Sequence, residues 1–466
     1  MIFPFGPPHH IEEREMIGRE DVLKMLKKLV RQSTADQTEA LLLTEDSSLT
    51  RFTPASIHQH VAERNGTLVL RVVFGKQVSV VTTNILTPSS LKAALERAAS
   101  LARLLPPNED FRSLPTPRPI AEIKTFFESI RRLTPQKKVK VVEEVMTLVK
   151  ENGCRASGAF SHGEVQVAVV NSLGGEAYQE YSDLFFHLIV QDGNSTGYSS
   201  FVSRDPGQLQ VEPLVRAAFS KVSKKNPLEM EPGDYEVILE PDAAHELLAF
   251  LGDLEFHALS VQEGRSFFCN RFGQKIADEK VTLYDDGLDA QGLQVPFDFE
   301  GVPKKKVVFI EKGMVKDVTY DSFTAGREGK ESTGHGLIPP NTEGPLPINL
   351  FMESGNSSLE EMVRTVRRGI YVSRFHYTNV VEPMKAVITG MTRDGTFLIE
   401  DGEIKNPLKN LRFTQSILKA LSGVKAISRD RKICSGGSVY GRRFVTGVVA
   451  PALQIEGFNF SGVSSL

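Results

Sequence analysis

Cysteine is scarce in this chain, with three in 466 residues: Cys154, Cys269 and Cys434. They are odd in number, far apart, and form no Cys-x-x-Cys pair, which argues against a disulfide scaffold and suits a reducing compartment. Long apolar runs are also missing; none approaches the roughly 18 residues that a spanning helix needs. Neither charge sign dominates. Lys and Arg total 55 against 58 Asp and Glu, a net charge of −3 with a pI near 6.4, so there is no electrostatic case for nucleic acid or an acidic membrane. Met1 to Glu15 carries Pro4, Pro7 and Pro8 and then acidic residues, without the basic start and apolar stretch of a secretory signal. No glycine-rich loop has phosphate-cradle spacing, since Gly329-Lys330-Glu331-Ser332 lacks the upstream glycine. The expectation is a soluble, cytoplasmic protein that binds neither nucleic acid nor membrane.

What is present is a long globular chain, 40% hydrophobic and 24% charged, too long for one ordinary core. Residues 19 to 31 have helical apolar spacing. Leu41-Leu42-Leu43 opens a β-rich stretch, and Thr67–Phe74 and Val78–Val81 flank a Gly75-Lys76 turn. Leu91–Leu105 is helical. After a proline-rich connection the order repeats: helix Lys137–Lys150, strands Glu164–Val170, Glu176–Tyr178 and Leu184–Val190, helix Val211–Val222. Lys224-Lys225-Asn226-Pro227 and Pro232-Gly233-Asp234 mark a boundary. Beyond it come a strand Tyr235–Leu239, a helix Pro241–Ser260, and a glycine-punctuated, mostly β stretch from 264 to 410. Hairpins are expected around Lys312-Gly313 and Asp401-Gly402. A helix Thr414–Leu421 and a terminal β segment Phe444–Ile455 follow. The fold class is α+β: an N-terminal mixed α/β domain of helix–meander–helix units over 1–225, and a C-terminal β-rich domain over 226–466.

The most informative motif begins and does not finish. In His245-Glu246-Leu247-Leu248-Ala249-Phe250 the first two residues fit a helical zinc-protease site, which needs a second histidine one turn on. Ala249 and Phe250 stand there instead. On a helix His245 points away from the Leu247, Leu248, Leu251 and Leu254 stripe, and His257 lies too far round to share a metal with it. Cys434, in Ile433-Cys434-Ser435-Gly436-Gly437, could serve as ligand or nucleophile, or be an idle buried thiol. His335, between Gly334 and Gly336, and His376, in Arg374-Phe375-His376-Tyr377-Thr378-Asn379, could carry acid–base chemistry; single loop histidines are more often structural. Asp285-Asp286-Gly287 and Asp298-Phe299-Glu300-Gly301 read as turns, and Lys304-Lys305-Lys306 as a solvated strand edge.

Several segments together resemble the TldD/PmbA family, whose second branch is also called TldE. They are Thr50-Arg51-Phe52, Ser56-Ile57-His58-Gln59, Thr82-Thr83-Asn84, Gly264-Arg265-Ser266-Phe267, Asp285-Asp286-Gly287 and Thr333-Gly334-His335. The most specific is Tyr377-Thr378-Asn379 followed by Ile388 through Thr396, which contains Arg393. The resemblance implies a protease system of two related subunits that degrades unfolded peptides and trims leader peptides. The TldD-type subunit carries a His-Glu-x-x-x-His helix and a distant Cys as zinc ligands; the TldE/PmbA type lacks them. With the family's paired leucines on Leu247-Leu248, the ligand positions fall on Ala249, Phe250 and Leu254, all apolar. The resemblance therefore implies no metal and no catalytic residue in this chain, zinc in a TldD-type partner, and His335, His376, Arg393 and Cys434 as groove or remnant-site candidates. Two other readings stay open: a stand-alone peptide-binding homodimer, and an autonomous hydrolase using Cys434 with His335 or His376.

Overall fold

The computed structural model describes residues 18–435 and 442–463, so the proline-rich start and the Gly436-Gly437 pair lie outside the described residues. In the first half, α1 (Arg19–Arg31) leads into β1 (Gln37–Phe52), β2 (Ile57–Phe74) and β3 (Gln77–Thr83), and α2 (Pro88–Ala102) follows. The order then repeats as α3 (Pro135–Glu151), β4 (Arg155–Asn171), β5 (Glu176–Asp192), β6 (Ser195–Ser203) and α4 (Val211–Phe219). Helices α2 and α3 start alike. Thr87 and Thr134 accept the N–H groups of Ser90 and Lys137, and Pro88 and Pro135 fill the first helical position, where no N–H is needed.

The two meanders join through β1 and β4 into one antiparallel sheet, β3-β2-β1-β4-β5-β6. Alternate residues face opposite sides. Ala40, Leu42, Leu70 and Ala168 pack beneath α1 and α2, and Phe160, Phe186 and Leu188 beneath α3 and α4. On the other face Leu41, Leu43, Val165, Val167 and Phe185 meet Leu293, Val295, Phe297 and Val445 of the second half. Burial of both faces explains why Leu41-Leu42-Leu43 and Val167-Ala168-Val169-Val170 are continuous apolar runs without alternation. The separate strands expected at Glu176–Tyr178 and Leu184–Val190 are one strand, because its polar middle is satisfied: Gln179 donates to the Thr125 hydroxyl at 2.5 Å and Ser182 to the Arg204 carbonyl at 2.9 Å.

The second half runs β7 (Gly233–Leu239), α5 (Pro241–Glu255), α6 (Ala258–Gln262), β8 (Leu283–Asp285), β9 (Val307–Glu311), β10 (Met314–Val315), α7 (Ser322–Glu328), β11 (Asn349–Met352) and α8 (Leu359–Thr365). It continues β12 (Arg368–Glu382), β13 (Val387–Glu400), β14 (Glu403–Pro407), β15 (Leu411–Ser416), α9 (Ile417–Ser422), β16 (Val424–Cys434) and β17 (Gly447–Val463). Strands β17, β15, β13, β12 and β7 are successive neighbours, and β7 also pairs with β17, so these five close on themselves as a barrel. Closure removes the bare strand edges that an open sheet would present. Rings from three of the strands meet: Phe375 lies 4.4 Å from Phe413 and 5.8 Å from Phe458, centroid to centroid.

Both expected hairpin turns form with left-handed backbone at Lys312-Gly313 (φ 47° and 79°) and Asp401-Gly402 (φ 50° and 77°). Three expectations change. The helix expected over Pro241–Ser260 breaks after Glu255, because His257 caps α6 by accepting the Ser260 N–H at 3.3 Å. Thr414–Ser416 belong to β15, and the Ser416 hydroxyl starts α9. The 264–410 stretch contains two helices, α7 and α8, each opened by a capping box, Asp321 with Thr324 and Ser358 with Glu361.

Candidate functional site

The unfinished zinc motif lies in α5. Leu247, Leu248 and Leu251 are fully buried in the main core of the second half, and Ala249, Phe250 and Leu254 pack partly buried against it. The residues at the implied ligand positions thus offer carbon and no donor atom, so they do not fit a metal. Among the described residues, no three His, Cys, Asp or Glu side chains gather as a ligand set.

One turn earlier, the half-buried side of α5 borders a polar pocket of about 210 Å3. Phe185, His187, Tyr198, Asp242, His245, Glu246, Arg374 and Ser435 line it. It is assembled from β5, β6, α5, β12 and the end of β16, elements far apart in sequence. His245 donates from Nδ1 to the Asp242 carbonyl at 2.7 Å, a contact within its own helical turn. Glu246 accepts from Thr378 Oγ1 at 2.5 Å, which ties the Tyr377-Thr378-Asn379 motif to α5. Arg374 donates from Nε to Asp394 at 2.7 Å and lies 4.4 Å over the Tyr198 ring. Burial, with Arg374 and Arg51 nearby, lowers His187 to about 4, so it is neutral at physiological pH.

Beneath the pocket, Lys432 donates to Asp242 at 2.5 Å and to Ser200 Oγ at 2.8 Å, and Ser200 donates to Asp242 at 2.7 Å. A serine beside a lysine suggests a catalytic dyad, but the charges exclude it here. Burial alone would lower Lys432, yet the Asp242 carboxylate and its hydrogen bond, together with the other groups around the amine, hold the ammonium above the ordinary lysine value, where it is a poor base for Ser200. Cys434 is 1% exposed. Burial and the neighbouring Asp242 push its thiol well above its usual value, the opposite of an activated nucleophile.

The sequence candidates divide between two places. His376 and Arg393 are brought together on β12 and β13, where burial and then Arg374 and Arg393 lower the His376 pKa; Arg374 on the same strand borders the polar pocket. Cys434 lies under that pocket. His335 does not join them. It is buried elsewhere, with Nε2 donating to Asp285 at 2.9 Å and the Thr333 hydroxyl 2.9 Å from Nδ1, so both ring nitrogens are occupied and neither meets Cys434. Asp285 is the anchor of this second cluster. Lys304 and His335 outweigh the effect of burial on its carboxyl and leave it at about 2. Asp298 is a turn residue, accepting the N–H groups of Glu300 and Val302, both at 2.9 Å. Of the three lysines read as a solvated edge, Lys305 and Lys306 are exposed and Lys304 is buried. His187, Tyr198, Ser200 and Lys432 carried no local signal in the sequence; they enter the site through pairing of β5, β6 and β16 with distant elements.

Residues 232–462 match the family model described as the PmbA/TldA metallopeptidase C-terminal domain. A protein of Buchnera aphidicola subsp. Acyrthosiphon pisum named metalloprotease TldD homolog is 28% identical over 287 residues, 58% of this chain and 57% of that one. A protein of the same name from Buchnera aphidicola subsp. Schizaphis graminum is 24% identical over 373 residues, 74% of each chain. Among solved structures, TldE from Thermococcus kodakarensis shares the fold with a TM-score of 0.82 at 23% identity, over 95% of this chain and 99% of that one. With its second half matched by the family's own domain and named TldD homologues aligned across both halves, the chain belongs to the TldD/PmbA family.

Proposed function

We propose that this chain is the TldE/PmbA-like, non-metal-binding partner subunit of a TldD/TldE-type metallopeptidase. The observation that carries this reading is α5 itself: in a family chain, Ala249, Phe250 and Leu254, the positions that the resemblance implies for the ligands, are apolar and pack on the core. The charge state of Cys434 and Lys432 supports it, because neither side chain is poised for nucleophilic or base catalysis. On this reading zinc and the water-activating Glu belong to a TldD-type subunit, the substrates are unfolded or leader peptides, and the complex works in the cytoplasm.

The experiment is reconstitution. A TldD-type subunit is assayed on an unfolded peptide with and without this chain, and zinc per chain is measured by elemental analysis on each protein purified alone. Activation of the partner, with zinc near zero in this chain, is the expected result, and His245→Ala in this chain should leave the activation within about twofold, as for a surface polar group outside the reacting centre. One zinc per chain here, or a large loss in His245→Ala, would overturn the reading. Peptide binding without turnover in any mixture would favour the stand-alone homodimer.

A further inference from the structure

A second cavity lies between the two halves, on the face of the six-stranded sheet opposite its helices. Leu43, Val165 and Val167 of the sheet form one wall, and Val295, Phe297 and Ile348 of the second half form the other. It offers about 60 Å3 to molecules of water size, room for roughly four to six waters at ~10–15 Å3 each, or for one organic molecule of about that many heavy atoms.

Into this mostly apolar space comes the side chain of Lys304, 1% exposed. Its ammonium nitrogen makes no hydrogen bond with any described residue. The nearest carboxylate oxygen, Asp285 Oδ1, is 3.6 Å away and already accepts the His335 Nε2–H at 2.9 Å; the other oxygen accepts the Asn349 N–H at 2.7 Å. A buried amine with unused donors is costly unless something accepts from it. The charge around the cavity is already balanced. Lys304 faces Asp285, and Arg443 is paired with Asp183 through Nε at 2.6 Å. Glu45 and Arg442 line the cavity too and bring one charge of each sign, Glu45 accepting the Arg443 N–H and the Asn65 amide, while burial and the neighbouring Glu300 push the Asp298 carboxyl well above its usual value, toward its neutral form. An anion would therefore enter without a counter-charge, whereas a neutral oxygen would meet the Lys304 donors and leave the balance intact.

We propose that this cavity binds a small, uncharged, largely apolar organic molecule through a carbonyl oxygen that accepts from Lys304. The site is separate from the polar pocket on α5 and does not depend on the partner-subunit reading.

The test uses the full chain and butanone as probe, with butyrate as the charged analogue. Crystals soaked in butanone should show its oxygen within hydrogen-bond distance of Lys304 Nζ, and butanone should raise the melting temperature of the wild type. Lys304→Met should weaken butanone binding about tenfold or more, the cost of losing one charge-assisted hydrogen bond. Ile338→Phe, which fills the cavity from a half-buried position and keeps the amine, should abolish it, and decides the matter if Lys304→Met does not fold. Ordered water alone in the soaked crystals, tighter binding of butyrate, or unchanged binding in either variant would overturn the proposal.

Discussion

At the residue scale, burial decides which titratable groups are chemically available. Cys434 is buried beside Asp242, while Cys269 is only partly buried. Iodoacetamide on the native protein at pH 7.5 should therefore modify Cys269 at least roughly tenfold faster than Cys434, read by peptide mass mapping; equal rates would reopen the hydrolase reading. Glu255 is fully buried, with one carboxylate oxygen accepting from Ser266 at 2.8 Å and the Phe267 N–H at 2.5 Å and the other lacking a hydrogen-bond partner. Burial raises its pKa from 4.5 to about 7. The folded protein thus keeps this proton to near pH 7, whereas the unfolded chain releases it near 4.5, so the contribution of Glu255 to stability declines as pH rises between those values. Urea titrations should show Glu255→Gln gaining on wild type across that window, by up to ~3 kcal/mol at its upper end. A difference independent of pH would refute this assignment. The sequence placed His245 and the implied ligand positions Ala249, Phe250 and Leu254 on one helix, because that motif is local, whereas nothing local showed that Cys434, at the far end of β16, comes to lie beside Asp242 of the same helix. It misassigned Lys304, because a lysine triplet looks solvated unless one knows that Asp285 faces it from a strand end.

At the scale of elements, the legible parts were those with a strong period or a specific turn. Helix α3, the repeated helix–meander–helix order and the Asp401-Gly402 hairpin all follow from local chemistry. Strand β6 did not announce itself, since Ser195, Thr196, Ser199 and Ser200 look like loop; Ser199 donates to the Leu214 carbonyl of α4, and Ser200 to Asp242 of α5. The break between α5 and α6 was hidden for the same reason, as only the folded chain shows His257 acting as a cap. The barrel rests on contacts that no single strand reveals. Phe413 is fully buried and touches Phe375 and Phe458 from other strands. Phe413→Ala should cost ~3–5 kcal/mol in urea unfolding of the second half; a loss below ~1 kcal/mol would mean the rings do not share one core.

At the scale of the whole molecule, the two halves are joined by apolar contact and by buried ion pairs. Arg443 reaches Asp183 with two nitrogens, at 2.6 and 2.7 Å, and Ser161 with a third at 3.0 Å. Arg71 joins Glu39 to Glu300 across the same interface at 3.0 Å each. Asp183→Ala leaves Arg443 buried without its counter-charge, and should destabilise the protein by ~3–5 kcal/mol and expose the segment after residue 442 to limited proteolysis. Unchanged stability would show that the segment is not fastened there. None of this was legible beforehand, because both partners of each pair look like ordinary surface charges in the sequence. The closing strand also sets a schedule for synthesis. β7 begins at Gly233, yet β17, its partner and the strand that seals the barrel, runs to Val463. At ~5–20 residues per second, a ribosome needs roughly 10–45 s to cover that span. Throughout it the nascent second half holds an unsealed sheet, so ribosome-bound chaperones have most to shield in this part of the protein, while the first half can already have folded.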